Sequence, residues 1–366
     1  MNQPNRSNPN SSQVGRGSSL RPQNRFESRS IEMLLEELEE LDDQDSTTQR
    51  KLPTEFLEDS SQSIVSQNNS PDLKFRYSLN PYRGCEHGCS YCYARPTHEY
   101  LGFDSGLDFE SKIIVKKNAA KLLRKFLAKP SWQVEPIAFS GVTDCYQPAE
   151  REFKLTRQCL KVAAECNQPL SIVTKNALVL RDLDLLQPMA AMNLVRVYVS
   201  VTTLDSKLAR QMEPRTSSPA ARIRTIETLV DAGIPTGAMI APVIPGLNDS
   251  EIPEIMKTIS SAGAQVAGFV LLRLPLNVLP VFEDWLNRTR PDQAAKILNR
   301  IRQTRGGQLN DSSFGQRMTG QGEIANQIRT MFRTFRTQHG LEQQFAPHNC
   351  GDFIRPSKTP GQQKLF

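Results

Sequence analysis

From about Phe75 the chain alternates short apolar runs rich in β-branched residues with amphipathic stretches, and this alternation constrains the fold more than any other feature. Strands are predicted at Ile137–Val142, Leu170–Thr174, Val195–Val201, Thr236–Ala241 and Val266–Leu271. Helices are predicted between them, at Ala119–Leu127, Phe153–Glu165, Leu178–Met192, Ala220–Ala232 and Ile252–Ser261. A strand followed by a helix about every 30 residues implies parallel strands joined by right-handed crossovers. With a first strand ending just before Cys85 there are six such units. The predicted fold is α/β, a partial (β/α)6 TIM-type barrel, because a closed eightfold barrel needs roughly 250 residues. An open doubly wound sheet satisfies the same periodicity.

The ends of the chain have a different texture. Residues 1–72 read as a disordered acidic and polar tail with one short helix at Ile31–Leu41. Residues 73–290 form the core, and residues 291–366 a basic extension with helices at Ala294–Thr304 and Ile324–Gln338 and a flexible tail. Ile324, Ile328 and Phe335, with Met331 or Phe332, share one face of the last helix, which predicts packing on the barrel. Net charge is +6 but uneven: the first 72 residues carry 7 Lys and Arg against 13 Asp and Glu, and the last 82 carry 13 against 5. A basic final fifth suits a polyanion such as nucleic acid; a merely solvated basic surface is the plainer alternative. Without a secretory signal or a run of about 18 apolar residues, a cytoplasmic protein, monomeric and without a membrane partner, is expected.

Three of the seven cysteines fall within eight residues, in Asn80-Pro-Tyr-Arg-Gly-Cys85-Glu-His-Gly-Cys89-Ser-Tyr-Cys92-Tyr-Ala-Arg95. Thiolates clustered on a loop select zinc or an iron–sulfur cluster. Three cysteines hold three irons of a cubane and leave the fourth open for chemistry. Zinc requires a fourth ligand, for which His87, His98 and Cys145 are the candidates.

Cys85-x3-Cys89-x2-Cys92, with Tyr91 before the last cysteine, resembles the signature of the radical S-adenosylmethionine (SAM) superfamily. The resemblance implies a [4Fe-4S] cluster on Cys85, Cys89 and Cys92, with S-adenosylmethionine on the open iron. Reductive cleavage of the sulfonium would then give a 5′-deoxyadenosyl radical that abstracts hydrogen from a substrate. The Asn80–Cys85 segment, Thr143-Asp144-Cys-Tyr-Gln147-Pro-Ala-Glu150, Glu213-Pro-Arg215 and Ala241-Pro-Val-Ile-Pro-Gly246-Leu-Asn-Asp249 together resemble the spore photoproduct lyase-like branch, often labelled DNA repair photolyase-related. The likeness covers residues 75 to 345 or so.

From the same resemblance, the strand ends hold the cofactor. Ser140, Gly141 and Asp144 would meet the methionyl amine, although Asp144 also suits a helix cap. Ser200 would bond the ribose, or is an ordinary strand-end serine. Thr174 and Lys175 end the third strand, and Lys175 would meet the cofactor carboxylate or the substrate. Arg215 has the same choice, with a Glu213 ion pair as the alternative. Gly246 lies in a turn that would face adenine, or is simple turn chemistry. Tyr91 would pack on adenine or belong to the core. Cys145 is a candidate hydrogen donor, against a buried apolar cysteine, and Tyr93 a candidate hydrogen relay, against a ring stacked beside the cluster. Cys159 and Cys166 are expected to face the core.

The expected partners are nucleic acid and an electron donor such as flavodoxin or ferredoxin. Gln362–Phe366 resembles peptides that bind sliding clamps. The rivals are the same chemistry on a peptide or metabolite, and a DNA-associated binding protein whose cluster is structural or redox-sensing.

Overall fold

The computed structural model describes residues 15–26 and 52–357. The expected helix at Ile31–Leu41 and the terminal Gln362–Phe366 peptide lie outside these residues.

Ten strands form two sheets among the described residues: β1 Glu55–Glu58, β2 Val65–Gln67, β3 Tyr77–Leu79, β4 Tyr82–Arg83, β5 Lys112–Val115, β6 Ile137–Phe139, β7 Leu170–Thr174, β8 Val195–Ser200, β9 Thr236–Val243 and β10 Val266–Leu271. The large sheet has the order β10-β9-β8-β7-β6-β3-β2. All its pairings are parallel except β2 with β3. Each parallel strand is added beside its predecessor on one side, so right-handed crossovers place every helix on one face and the sheet curls about the other. A doubly wound sheet reverses strand order at a switch point, and no reversal occurs here. The result is the expected partial barrel, left open between β10 and the β2–β3 edge.

Packing follows from the sequence pattern. In β7 and β8 alternate residues are buried, with Leu170, Ile172 and Thr174 beside Val195, Val197 and Val199. Helix Ala119–Leu127 buries Ala119, Leu123 and Leu127, and helix Leu155–Glu165 buries Leu155, Cys159, Leu160, Val162 and Ala163. Cys159 and Cys166 both face the core.

Two features closer to the site were not predicted. A three-stranded sheet, β1-β5-β4, stands beside the barrel, and its strand β4 runs directly into Cys85. Helix Val278–Thr289 buries Val278, Val281, Phe282, Trp285 and Leu286.

The expected disorder of residues 1–72 is corrected for the segments described. Residues 15–26 dock through polar groups: Arg21 pairs with Asp104 and Asp108, Arg25 with Glu99, and Asn24 donates to the Glu99 carbonyl at 2.9 Å. Residues 52–72 contribute β1 and β2. Composition predicts disorder by counting apolar burial, and a strap held by hydrogen bonds and ion pairs escapes that count.

The C-terminal extension completes the barrel. Leu271 of β10 donates its N–H to the Met318 carbonyl (2.9 Å), while Arg317 pairs with Asp72 beside β2 (2.5 Å), so residues 304–320 span the open seam. Further along, Ala267 donates to the Leu341 carbonyl, which covers an otherwise exposed strand edge. Residues 343–357 then cross the amino-terminal ends of the strands, where Asn349 bonds Asn193 and Ile354 bonds Cys166. No helix among the described residues is long and apolar enough to cross a membrane.

Candidate functional site

The three cysteines lie on the loop that leaves β4. Gly84 takes φ +74°, and a Cβ there would meet the Lys112 and Phe109 carbonyls at 2.9 Å. Consecutive turns follow: Gly88 N–H to the Cys85 carbonyl, Cys92 N–H to Cys89, and Arg95 N–H to Cys92. This winding gathers the thiols. Cys85 lies in one apolar cluster with Ala94 and Phe109, Cys89 in another with Tyr91, and Cys92 packs against both clusters. None is in a disulfide. Burial pushes the Cys85 thiol up to about 12 and raises those of Cys89 and Cys92 as well; the nearby thiols reinforce the rise at Cys85 and Cys89. Three mutually close thiols that resist ionisation become ligands only when a metal centre compensates their charge.

Among the described residues, no three His, Cys, Asp or Glu side chains converge as ligands of a single ion must. Cysteines on separate corners of a cubane need not converge in that way. Of the expected fourth zinc ligands, His87 is bonded elsewhere and His98 lies in an aromatic niche. The His98 ring lies between Phe103 and Phe109 with both nitrogens unpartnered, and His87 sits between Asn176 (3.2 Å) and Asp144 (3.5 Å). Burial lowers the affinity of both imidazoles for protons, that of His98 to about 4. Cys145 is wholly buried in the main core, its N–H on Ser140 Oγ and its carbonyl on Thr156 Oγ1. Burial, reinforced by the Asp144 and Glu150 charges, raises its thiol well above the usual range, with Ser140 and Thr156 as polar neighbours.

Arg95, unassigned from sequence, braces the loop. It is fully buried, donates to the carbonyls of Cys89, Gly88, Ser105 and Gly106, and pairs with Glu110 at 2.9 Å. Glu110 in turn accepts the N–H groups of Arg16, Gly17 and Ser18, so the N-terminal strap rests on the same carboxylate. Gly17 is pressed on the loop: a Cβ there would lie 1.8 Å from the Gly88 carbonyl oxygen. Gly17→Val is therefore expected to lift the strap and expose the loop. The reconstituted variant should lose its cluster absorbance in air several-fold faster than wild type, and equal rates would show that the strap does not shield it.

The strand ends facing this loop are densely bonded. Asp144 accepts Thr174 Oγ1 (2.8 Å), the Lys175 N–H (2.8 Å) and the Tyr146 N–H (2.9 Å), so its carboxylate ties two loops together instead of standing free. Thr174 Oγ1 also accepts the Asn176 N–H. Gly141 is required by a neighbouring strand: its Cβ would meet Ser78 Cβ at 2.7 Å. Asn80 Oδ1 accepts the N–H groups of Val142 and Thr143 and holds this loop in place. Tyr93, half exposed, donates to the Gly141 carbonyl at 2.8 Å.

Glu213 is the hub of the opposite side. It is buried and accepts from the Tyr91 and Thr202 hydroxyls, pairs with Arg222, and has Lys175 Nζ at 4.0 Å. Burial pushes this carboxyl up, but Arg222, Lys175 and the two hydroxyls outweigh it and hold it below the usual range. Arg215 pairs with Glu86 at 2.7 Å and not with Glu213. The Tyr91 ring lies in an apolar cluster with Leu208, Met212 and Trp285, and Lys175 Nζ stands 6.0 Å from its centroid. Ser200 is buried and its carbonyl receives Arg222. Gly246, at φ +84°, donates to Asp249, while Asn248 bonds Thr202, Pro242 and Ile244, which is turn chemistry. The structure thus brings together Cys85, Cys89, Cys92, Tyr91, Tyr93, Gly141, Asp144, Thr174 and Lys175. Cys145 stays apart in the core.

A family model described as the Radical SAM superfamily matches residues 79–259. An uncharacterized protein of Mycobacterium tuberculosis is 40% identical over 230 residues, covering 62% of this chain and 68% of that protein. One from Methanocaldococcus jannaschii is 35% identical over 176 residues, covering 48% and 63%. Among solved structures, spore photoproduct lyase complexed with dinucleoside spore photoproduct matches with a TM-score of 0.55 at 18% identity, covering 78% of this chain and 79% of that one. At that identity the likeness shows the fold alone.

Proposed function

The chain belongs to the radical SAM superfamily, an enzyme class whose cofactors are a [4Fe-4S] cluster and S-adenosylmethionine, and from that premise we propose that Cys85, Cys89 and Cys92 ligate the cluster and that the substrate is nucleic acid. When bound, the cluster supplies the electron that breaks a sulfonium C–S bond of S-adenosylmethionine and so generates a 5′-deoxyadenosyl radical.

The chain's own residues prepare the site. Arg95 and Gly84 fix the backbone of the loop that carries the three cysteines, and burial keeps water from Cys85 and Cys89. Asp144 holds the end of β7, which sets where Lys175 stands; its ammonium, close enough to act on Cys89, is a cation suited to the cofactor's carboxylate. Tyr93 is the most exposed aromatic of the loop and is fixed by Gly141, so it is the residue suited to meet a substrate or relay a hydrogen atom. The basic final fifth and a fold neighbour that holds a dinucleoside favour nucleic acid as the substrate class. The electron would come from a donor such as flavodoxin or ferredoxin.

The observation that carries this reading is the placement of the three motif cysteines on one wound loop, with Cys92 packed against both the apolar cluster that holds Cys85 and the one that holds Cys89. The test is anaerobic reconstitution, reduction and addition of S-adenosylmethionine, following the electron paramagnetic resonance signal and 5′-deoxyadenosine release. A signal perturbed by S-adenosylmethionine, with 5′-deoxyadenosine formed and both lost in Cys89→Ala, is expected. An intact cluster that ignores S-adenosylmethionine would leave a structural or redox-sensing cluster instead.

A further inference from the structure

We propose that Arg273, at the carboxyl end of β10, binds an anionic phosphate group of the substrate, with the exposed rings of Tyr93 and Phe314 beside it receiving bases. That the phosphate is a phosphodiester of nucleic acid rests on the reading above; the anion site itself rests on the following geometry.

The Arg273 guanidinium lies 5.6 Å over the Tyr93 ring, which the hydroxyl bond to Gly141 locks in place. Arg273 therefore stands where the cysteine loop, the end of β6 and the end of β10 meet, at the rim where the barrel is open. Its hydrogen-bond contact is the Met318 sulfur at 3.8 Å, a weak acceptor. No carboxylate is paired with it among the described residues. Asp72, the acid nearest in charge terms, is taken by Arg317 and by the Gly315 N–H. Arg305 donates only to the carbonyls of Leu271, Leu272, Gln316 and Arg317, and Asp311 accepts the Ser313 N–H. The rim thus concentrates three guanidiniums around two committed carboxylates, Asp72 and Asp311.

A half-buried guanidinium that has shed water without gaining an anion is costly unless a ligand supplies the acceptors. Burial and the neighbouring Arg317 accordingly lower the proton affinity of Arg273, and an incoming anion relieves both. A second cation–aromatic stack, Arg317 at 4.5 Å over Phe314, extends the surface, and Phe314 is 61% exposed. Cations with open π faces are what a nucleotide uses: phosphate on guanidinium, base on ring.

The test uses holoprotein reconstituted without oxygen and a labelled single-stranded oligodeoxynucleotide, with anisotropy read over a series of salt concentrations. Arg273→Gln should weaken binding about tenfold and lower the salt slope by about one, as loss of one phosphate contact does. Phe314→Ala should weaken binding with the slope unchanged, and Arg224→Gln, exposed on helix Pro219–Asp231, should change neither. Arg273→Gln should hold as much iron and unfold at the same urea midpoint as wild type, which shows the variant folded; Arg273→Lys should restore part of the slope. If wild type binds the oligonucleotide and Arg273→Gln binds it equally well, the anion site is overturned while the nucleic-acid reading stands. If wild type ignores the oligonucleotide but binds inorganic pyrophosphate through Arg273, the site holds and the nucleic-acid reading fails. Binding of neither overturns both. Loss of S-adenosylmethionine binding in Arg273→Gln would also overturn the proposal, by giving Arg273 to the cofactor.

Discussion

Arg95→Gln should leave a chain that is markedly less stable and that fails to hold its cluster. The arginine is fully buried and spends its donors on four loop carbonyls and on Glu110. Glutamine has two N–H donors where the guanidinium has five, so several carbonyls lose their partners. The larger penalty falls on Glu110, buried and stripped of its counter-charge; removing one partner of a buried pair costs about 3–5 kcal/mol. Because Arg95 bonds the carbonyl of Cys89 itself, the same loss loosens the ligand loop. Urea midpoints and iron content after reconstitution should therefore fall together. Arg95→Gln with Glu110→Gln should be milder than Arg95→Gln alone, since the double change removes the orphaned charge. A single variant with wild-type midpoint and iron content would show that the brace contributes nothing.

That brace marks the boundary of what the sequence discloses. Five of the six barrel strands were legible because their β-branched runs and the helices between them follow two different periods, and the bounds of Leu170–Thr174, Val266–Leu271, Ala119–Leu127 and Ile252–Ser261 agree with the structure; the strand expected to end just before Cys85 is there β4 of the small sheet, and the barrel begins instead with β3, whose Tyr77-Ser-Leu79 has no β-branched residue. The small sheet was hidden because β4 has two residues and β1 is mostly exposed, so neither has a readable pattern. Helix Val278–Thr289 did carry a readable pattern, with apolar residues three and four apart, which Pro280 and the nearby Pro275 obscured. The cysteine spacing disclosed the loop, yet Arg95 looked like any charged residue because its carbonyl partners belong to backbone the sequence does not place. Asp144 and Arg215 show the same limit. Each was a sound candidate for a cofactor contact by residue type, and each is bonded within the protein, Asp144 by Thr174 and the Lys175 N–H, Arg215 by Glu86.

Glu213→Gln tests the other half of the site, where one buried carboxylate serves Tyr91, Thr202, Arg222 and Lys175. At neutral pH the variant strands the buried Arg222 cation, and a loss of about 3–5 kcal/mol is expected. The pH dependence separates this electrostatic account from a packing defect. The Glu213 carboxyl is held below its unfolded value, so its contribution is fully present above the unfolded value, near 4.5, and is lost as pH falls through the lower folded value. The gap in urea midpoint between wild type and Glu213→Gln should be constant from pH 7 to about 5 and shrink below about 4.5. A gap that persists undiminished under acid would mean that shape, not charge, is what Glu213 supplies. The charge has a second consequence near the loop. With Glu213 neutral, Lys175 loses the anion 4.0 Å away while remaining over the Tyr91 ring, so its ammonium is freer to hold a carboxylate brought by the cofactor. S-adenosylmethionine affinity should then be unchanged or modestly tighter in the variant even as stability falls, an opposition that a general loosening of the fold cannot produce.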